Sequence, residues 1–119
     1  MTDPRLCPRV DFASAARVRE LNDTLRTSGH GGQVLVTAGI AALVPDQIAA
    51  ILSAVAAFDS FNSDNDPYGE HDCASFIAAG QSVIWKIDYY NPGLTTHSAD
   101  PTDPATTTRV LTIMLADEY

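Results

Sequence analysis

Cysteine is nearly absent from this 119-residue chain, which has only Cys7 and Cys73. Two cysteines are too few to suggest a disulfide framework, and a structural zinc site needs about four ligands. No apolar run approaches the roughly 18 to 20 residues that span a bilayer, and the first residues lack the basic and then apolar layout of a signal peptide. We therefore expect a soluble, cytoplasmic protein with no metal site and no cofactor.

Basic residues are also scarce, since seven Lys and Arg stand against fifteen Asp and Glu, a formal net charge of -8. Five of the seven lie before residue 27, so the rest of the chain has only Lys86 and Arg109 against eleven acidic residues. Such a surface repels phosphate and attracts basic partners. The charge balance therefore disfavours direct binding to nucleic acid.

The residue pattern predicts an irregular arm at 1–11. A chain of this length has room for one hydrophobic core, so residues 12–119 are predicted to form one α+β domain. Apolar residues at helical spacing predict helices at 12–27 and 45–58, and glycines at 29–32 end the first. Strands are predicted at 33–38, 71–78, 82–90 and 109–116, with a two-residue turn at Ala79 and Gly80. We expect two helices packed on one face of a small antiparallel sheet, made of this hairpin and the C-terminal strand, with the strand at 33–38 partly covered on both faces and joining an edge. The predicted core is Val18, Leu21, Leu25, Leu35, Ile48, Ile51, Leu52, Val55, Phe58, Phe76, Val83, Trp85, Ile87, Leu111, Ile113 and Leu115.

The predicted helix at 45–58 has no charged residue between Gln47 and Ala57, and alanines fill much of its surface. A helix without a charged face is either packed on two sides within its own domain or offers an apolar face to another chain. The pattern therefore allows a homodimer that forms through this helix.

The loop after that helix is acidic and dense in turn-forming residues. Asp64, Asp66 and Gly69 fall at positions 1, 3 and 6 of a calcium-binding loop, but Tyr68 and Ser75 stand at positions 5 and 12, where ligands are required. A hard cation held by Asp64, Asp66 and Asp72 is the minor alternative. We favour Asx turns, in which Asn and Asp side chains bind their own backbone.

The hairpin register places Cys73 opposite Lys86 and His71 opposite Asp88. Strand alternation then puts these four residues on the surface away from Trp85. A thiol beside Lys86 and His71, with Asp88 orienting the imidazole, suits a cysteine nucleophile in a hydrolase or other thiol-dependent enzyme. The favoured interpretation is a solvated sheet surface with cross-strand ion pairs. We further expect Arg109 to pair with Asp88 or with the acids at 117–118.

Three segments resemble a family of small proteobacterial proteins classed as domain of unknown function 3768. They are Asp64-Asn65-Asp66-Pro67-Tyr68-Gly69-Glu70-His71-Asp72, Trp85-Lys86-Ile87-Asp88-Tyr89-Tyr90, and the C-terminal run from Thr107 to Tyr119. The resemblance extends from about Arg17 to the end of the chain. It implies a bacterial protein, but no activity and no catalytic residues.

We predict a non-enzymatic, acidic interaction domain whose partner is a protein with a basic surface. Asp64, Asp66, Glu70 and Asp72 are the predicted interaction residues. By analogy with anti-restriction and anti-CRISPR inhibitors, such a surface can act as a nucleic-acid mimic that occupies the binding channel of another machine. The alternatives are the thiol enzyme and an acidic surface that serves solubility alone.

Overall fold

A computed structural model describes residues 12–119, so the predicted arm at 1–11 lies outside the described residues. The helices are α1 at Phe12–Ser28, α2 at Ala38–Ala41 and α3 at Pro45–Ala57, and a 3-10 turn covers Ala116–Glu118. The strands are β1 at Gly32–Val36, β2 at Cys73–Ala78, β3 at Gln81–Tyr90 and β4 at Thr108–Leu115. Each helix and strand predicted from the sequence is present, and the elements of the described residues that were not predicted are α2 and the 3-10 turn.

The four strands form one sheet in the order β1-β4-β3-β2. The α+β class and the edge position of β1 are confirmed, but the expectation of an antiparallel sheet is wrong for one pair. Strands β2, β3 and β4 pair antiparallel, whereas β1 runs parallel to β4, with Val34 beside Leu111. Two helices and a hairpin separate β1 from β4 along the chain, so no tight turn forces this pair to be antiparallel.

A two-residue turn fixes the hairpin, as predicted, with Ala78 paired to Gln81. Ala79 and Gly80 both have positive φ angles, of 52° and 76°. This is the conformation of a type I′ turn, whose twist matches that of the two strands it joins. The turn therefore sets the register that places Cys73 beside Lys86.

Helices α1 and α3 cover one face of the sheet and form the core with it. Trp85 is fully buried at its centre, and Phe58 and Phe61 pack edge-on against its ring. Burial of apolar area of this kind is the main source of stability in a domain of this size. The cluster of buried residues is Leu25, Ile40, Ile51, Val55, Ala74, Ala78, Val83, Trp85, Ile87, Leu111 and Ile113.

Two residues predicted for the core are exposed instead, Leu35 on β1 and Leu52 on α3. All five residues of β1 are exposed, but Val34, Leu35 and Val36 keep only 39% to 49% of their surface accessible, so the predicted partial cover of both faces holds. The exposure reflects an edge position, since β4 is the one neighbour of β1 within residues 12–119. No helix in the described part of the chain is both long enough and apolar enough to cross a membrane.

Candidate functional site

The loop between α3 and β2 is built by its own side chains. The Asn62 Oδ1 accepts hydrogen bonds from the backbone N–H groups of Asp64, at 2.8 Å, and of Asn65, at 3.0 Å. The Asn65 Oδ1 in turn accepts the N–H of Asn62 at 2.8 Å. These are the Asx turns expected from the sequence. Asp64 lies exposed on this loop, while no group of three or more His, Cys, Asp or Glu side chains in the described part of the chain is placed to hold a metal ion.

Asp66 is buried, unlike Asp64, and holds the end of the loop together. Its Oδ1 accepts the backbone N–H of His71 at 3.1 Å, and its Oδ2 lies 3.5 Å from the His71 Nε2. A carboxylate engaged in this way is not available at the surface. Of the predicted interaction residues, Asp64 is therefore exposed, Glu70 and Asp72 are half-buried, and Asp66 is buried.

The His71 ring packs against α1 and does not approach Asp88. Its Nδ1 lies 2.9 Å from the Asp23 Oδ1, and its ring stacks on that of Phe61, with 3.7 Å between ring centroids. The Asp88 carboxylate instead accepts a hydrogen bond from the Lys86 Nζ at 2.7 Å. The predicted contact between His71 and Asp88 is wrong because β2 begins only at Cys73, and His71 has a φ of 53° that takes it out of the strand alternation.

Arg26 joins the end of α3 to the other elements from a buried position. Its Nη1 donates hydrogen bonds to the backbone carbonyls of Val55, at 3.1 Å, and of Phe58, at 2.8 Å. Its Nη2 pairs with the Asp23 Oδ1 at 3.1 Å, and its guanidinium lies over the Trp85 ring. A cation at a helix C-terminus satisfies carbonyls that have no partner within the helix.

Arg109 is the centre of a second buried polar cluster. Its Nε donates to the Asn22 Oδ1 at 2.9 Å, its Nη2 donates to the Pro101 carbonyl, and its guanidinium lies over the Tyr89 ring. Burial lowers the pKa of Arg109. The expected pairing of Arg109 with Asp88 or with residues 117–118 is wrong, since the side chain lies on the helix-covered face of the sheet. Glu118 instead accepts the hydroxyl of Thr37 at 2.6 Å.

Asn22 links this cluster to the acidic loop. Its Nδ2 donates to the Glu70 carbonyl at 3.0 Å and to the Tyr89 hydroxyl at 2.8 Å, and that hydroxyl donates to the Glu70 Oε1 at 3.2 Å. Asn22 was not among the residues predicted from the sequence. The sequence signal for it is helical spacing, because Asn22 falls on the same stripe of α1 as Ala15, Val18 and Leu25. All four residues are buried.

A cleft of about 410 Å³ opens beside this cluster, between the start of α1, the acidic loop and the loop that leads to β4. Tyr68 contributes an aromatic ring that is 53% exposed. The Asp100 Oδ1 accepts the Thr102 hydroxyl at 2.6 Å and the Thr102 N–H at 3.1 Å, and these bonds hold the pKa of Asp100 below its usual value. The cleft is lined by Ser14, Ala15, Tyr68, Glu70, Ala99, Asp100, Pro101 and Thr102. Its walls therefore combine an ionised carboxylate at Asp100, a second acidic residue and an aromatic ring.

Cys73 lies on the face of the sheet that the helices do not cover. It borders a pocket of about 260 Å³ that Lys86 and Tyr119 also line. Burial, and then the charges of Asp72 and Asp66, raise the pKa of the Cys73 thiol. A cysteine nucleophile needs the opposite shift, together with a base. The structure brings Cys73 and Lys86 together as predicted, but it places His71 elsewhere.

The basic side chains of the described residues are engaged within the fold or in ion pairs. Residues 12–119 hold thirteen acidic and five basic side chains. Arg26 and Arg109 are buried, while Arg17 is paired with Glu20 and Lys86 with Asp88. The fifth, Arg19, donates to the Gly69 carbonyl at 2.8 Å. Much of the basic charge is therefore used to hold the fold together.

A protein-family model described as "Protein of unknown function (DUF3768)" matches residues 36–118. That span holds all of β2, β3 and β4 and most of the loop segments that form the cleft. Comparisons with curated proteins and with solved structures gave no match.

Proposed function

The chain belongs to the DUF3768 family, whose description carries no activity, so we propose its function from its geometry. It is an acidic, non-enzymatic interaction domain that binds a protein with a basic surface, and the cleft beside Tyr68 and Asp100 receives a Lys or Arg side chain of that partner. Carboxylates pair with ammonium and guanidinium groups, and an aromatic ring attracts the same cations through its face.

The single observation that carries this proposal is the composition of the cleft, an aromatic ring and acidic side chains around one cavity. The hydrogen bonds from Thr102 lower the pKa of Asp100 below its ordinary value, which is itself well below neutral pH. Arg26 is engaged with the end of α3 and with Trp85, whereas Arg109 lies beside the cleft, donates to the Pro101 carbonyl and partly offsets the charge of Glu70. A negative surface of this kind speeds encounter with a basic partner and disfavours nucleic acid.

The finer proposal is that the partner's basic surface is one that otherwise binds nucleic acid, so that this protein acts as an inhibitor of the anti-restriction or anti-CRISPR type. Acidic domains compete with phosphate for the same Lys and Arg side chains. The cysteine-enzyme hypothesis gains no support from the site, because His71 is engaged by Asp23 and Asp66 and the pKa of the Cys73 thiol is raised.

The test is capture of partners by the immobilised protein over a range of salt concentrations, with two variants of equal charge. The Asp64→Asn/Asp100→Asn variant removes two exposed carboxylates from the acidic loop and the cleft. The Asp46→Asn/Asp117→Asn variant removes two exposed carboxylates from α3 and the C-terminus and is the matched control. We expect the first to weaken capture of a basic protein and to flatten its salt dependence, and the second to retain both.

Equal loss in both variants would mean that net charge alone drives binding, and no loss in either would reject the proposed site. For the finer proposal, labelled DNA or RNA is added to the captured partner. Displacement of the nucleic acid by this protein is expected, whereas simultaneous binding of both would reject the mimic role while leaving the interaction intact.

A further inference from the structure

Within the part of the chain that the structure describes, strand β1 forms an edge of the sheet. Val34, Leu35 and Val36 are 43%, 49% and 39% exposed, and β4 is the one strand beside them. Across residues 12–119, no strand pairs with the outer side of β1. An exposed apolar edge is a template on which another strand can add, and natural proteins usually protect such edges.

The backbone shows which groups of β1 face outward. The Thr37 N–H donates to the Ile113 carbonyl of β4 at 3.1 Å. In a parallel ladder a residue directs its N–H and C=O to the same side, and successive residues alternate between sides. Gln33 and Leu35 therefore bond towards β4, as Thr37 does, while the N–H and C=O groups of Gly32, Val34 and Val36 point away from the sheet.

The usual protections of an edge are missing here. The strand contains no charged residue and no proline, and its pairing with β4 has no bulge. Residues 27–45 include no Lys, Arg, Asp or Glu, in a chain whose net charge is -8. A basic partner finds no carboxylate on this strand, whereas a second copy of the same acidic chain can approach it without placing carboxylates against each other.

We propose that two copies of this chain pair through β1, antiparallel, about a two-fold axis at Val34. In this register Val34 faces the partner's Val34, and Gly32 faces the partner's Val36. Every outward N–H and C=O of the strand then has a partner, because these positions are the ones that point away from β4. The result is one continuous sheet that runs through both copies.

The side chains suit the same register. Gly32 has no side chain, and a Cβ placed there would lie 2.4 Å from the Arg109 carbonyl oxygen, so the position cannot be enlarged. Opposite the second copy's Val36, Gly32 adds no side chain of its own, so this pair brings one side chain and not two to each end of the pairing. This self-complementarity is what a two-fold interface requires. The proposal is independent of the acidic cleft, which uses none of these residues.

The experiment is sedimentation equilibrium of the full chain, which measures whether the mass is 12.7 kDa or twice that value. We expect a dimer for the wild type. Val34→Lys and Val34→Glu should each give a monomer, because position 34 faces itself and the like charges then lie directly opposite. An equal mixture of the two variants should regain the dimer. Leu52→Lys, on the exposed side of α3, is the control and should remain dimeric.

Tryptophan fluorescence of the buried Trp85 shows whether each variant is folded. A wild-type chain that stays monomeric at high protein concentration would overturn the proposal. A dimer that survives both substitutions at position 34, or one that is lost in Leu52→Lys, would also overturn it and would assign the interface to another face. Folded single variants that fail to associate when mixed would reject the register.

Discussion

The Asn22 Oδ1 accepts a hydrogen bond from the Arg109 Nε at 2.9 Å, and both side chains are almost fully buried. The bond joins α1 to β4, two elements that lie at opposite ends of the described chain. The Asn22 Nδ2 donates hydrogen bonds to the Glu70 carbonyl and to the Tyr89 hydroxyl. One amide therefore links helix, acidic loop and sheet at the base of the cleft.

Asn22→Ala should lower the free energy of unfolding by about 3 kcal/mol, because it removes the acceptor of the buried Arg109 Nε and the donor to the Glu70 carbonyl and the Tyr89 hydroxyl. Urea unfolding followed by Trp85 fluorescence measures the change. Thr24→Ala, on the exposed side of the same helix, is the control and should shift stability by less than about 0.5 kcal/mol. Equal stability of Asn22→Ala and the wild type would show that the cluster is not a structural support.

Much of the fold follows from the sequence, because apolar spacing and turn residues act locally. The stripe of α1, the Pro45 start of α3 and the turn at Ala79 and Gly80 were all predicted. The parallel pairing of β1 was not, since strand direction between distant segments depends on how the whole chain packs.

The site was harder to predict than the fold. Alternation along the hairpin correctly gave the pair of Cys73 and Lys86, but it failed at His71, where a left-handed backbone turns the side chain towards Asp23. The burial of Arg26 could not be predicted, because carbonyl groups that a helix end leaves open do not appear in a residue pattern. The cleft likewise combines segments that are far apart in the chain.

Ala79→Asn should stabilise the protein by up to about 1 kcal/mol. Ala79 has a φ of 52°, which is unfavourable for a residue with a Cβ, and Asn tolerates this conformation better than Ala. Thermal or urea unfolding measures the difference. Ala105→Asn, in an exposed turn, is the control and should be nearly neutral. Destabilisation by Ala79→Asn would contradict the type I′ turn.

Cys73 should react with iodoacetamide more slowly than a free thiol at neutral pH, because its raised pKa lowers the fraction of thiolate. A Cys7→Ser background leaves Cys73 as the one thiol to be measured. Asp72→Asn should increase the rate, since it removes a negative charge that raises the Cys73 pKa. A wild-type rate above that of a free thiol would instead revive the cysteine-enzyme hypothesis.

Asp72→Asn should also change how stability depends on pH. Burial raises the pKa of Asp72 above its ordinary value of 3.8, so the folded state binds more protons than the unfolded state just above that pH. The contribution of Asp72 to stability is therefore full below pH 3.8 and is lost as pH rises through the folded pKa. Asn keeps the shape without the charge.

The variant should consequently be more stable than the wild type at neutral pH, and the difference should disappear below pH 3.8. Urea midpoints at the two pH values measure this. Asp64→Asn removes the same charge from an exposed position of the same loop, and it controls for the change in net charge. A stability gain for Asp72→Asn that is the same at both pH values would contradict the burial of an ionised carboxylate.

Titration of the ¹⁵N-labelled protein with an arginine-rich peptide, followed by amide chemical shifts, measures whether the acidic cleft binds basic side chains. If the acidic cleft binds basic side chains, saturable shifts should centre on Tyr68, Asp100 and Thr102, should weaken as salt is added, and should be reduced in Asp100→Asn. Shifts that are absent, or that spread evenly over all exposed acidic residues including Asp46, would show that the cleft is not a binding site for basic side chains.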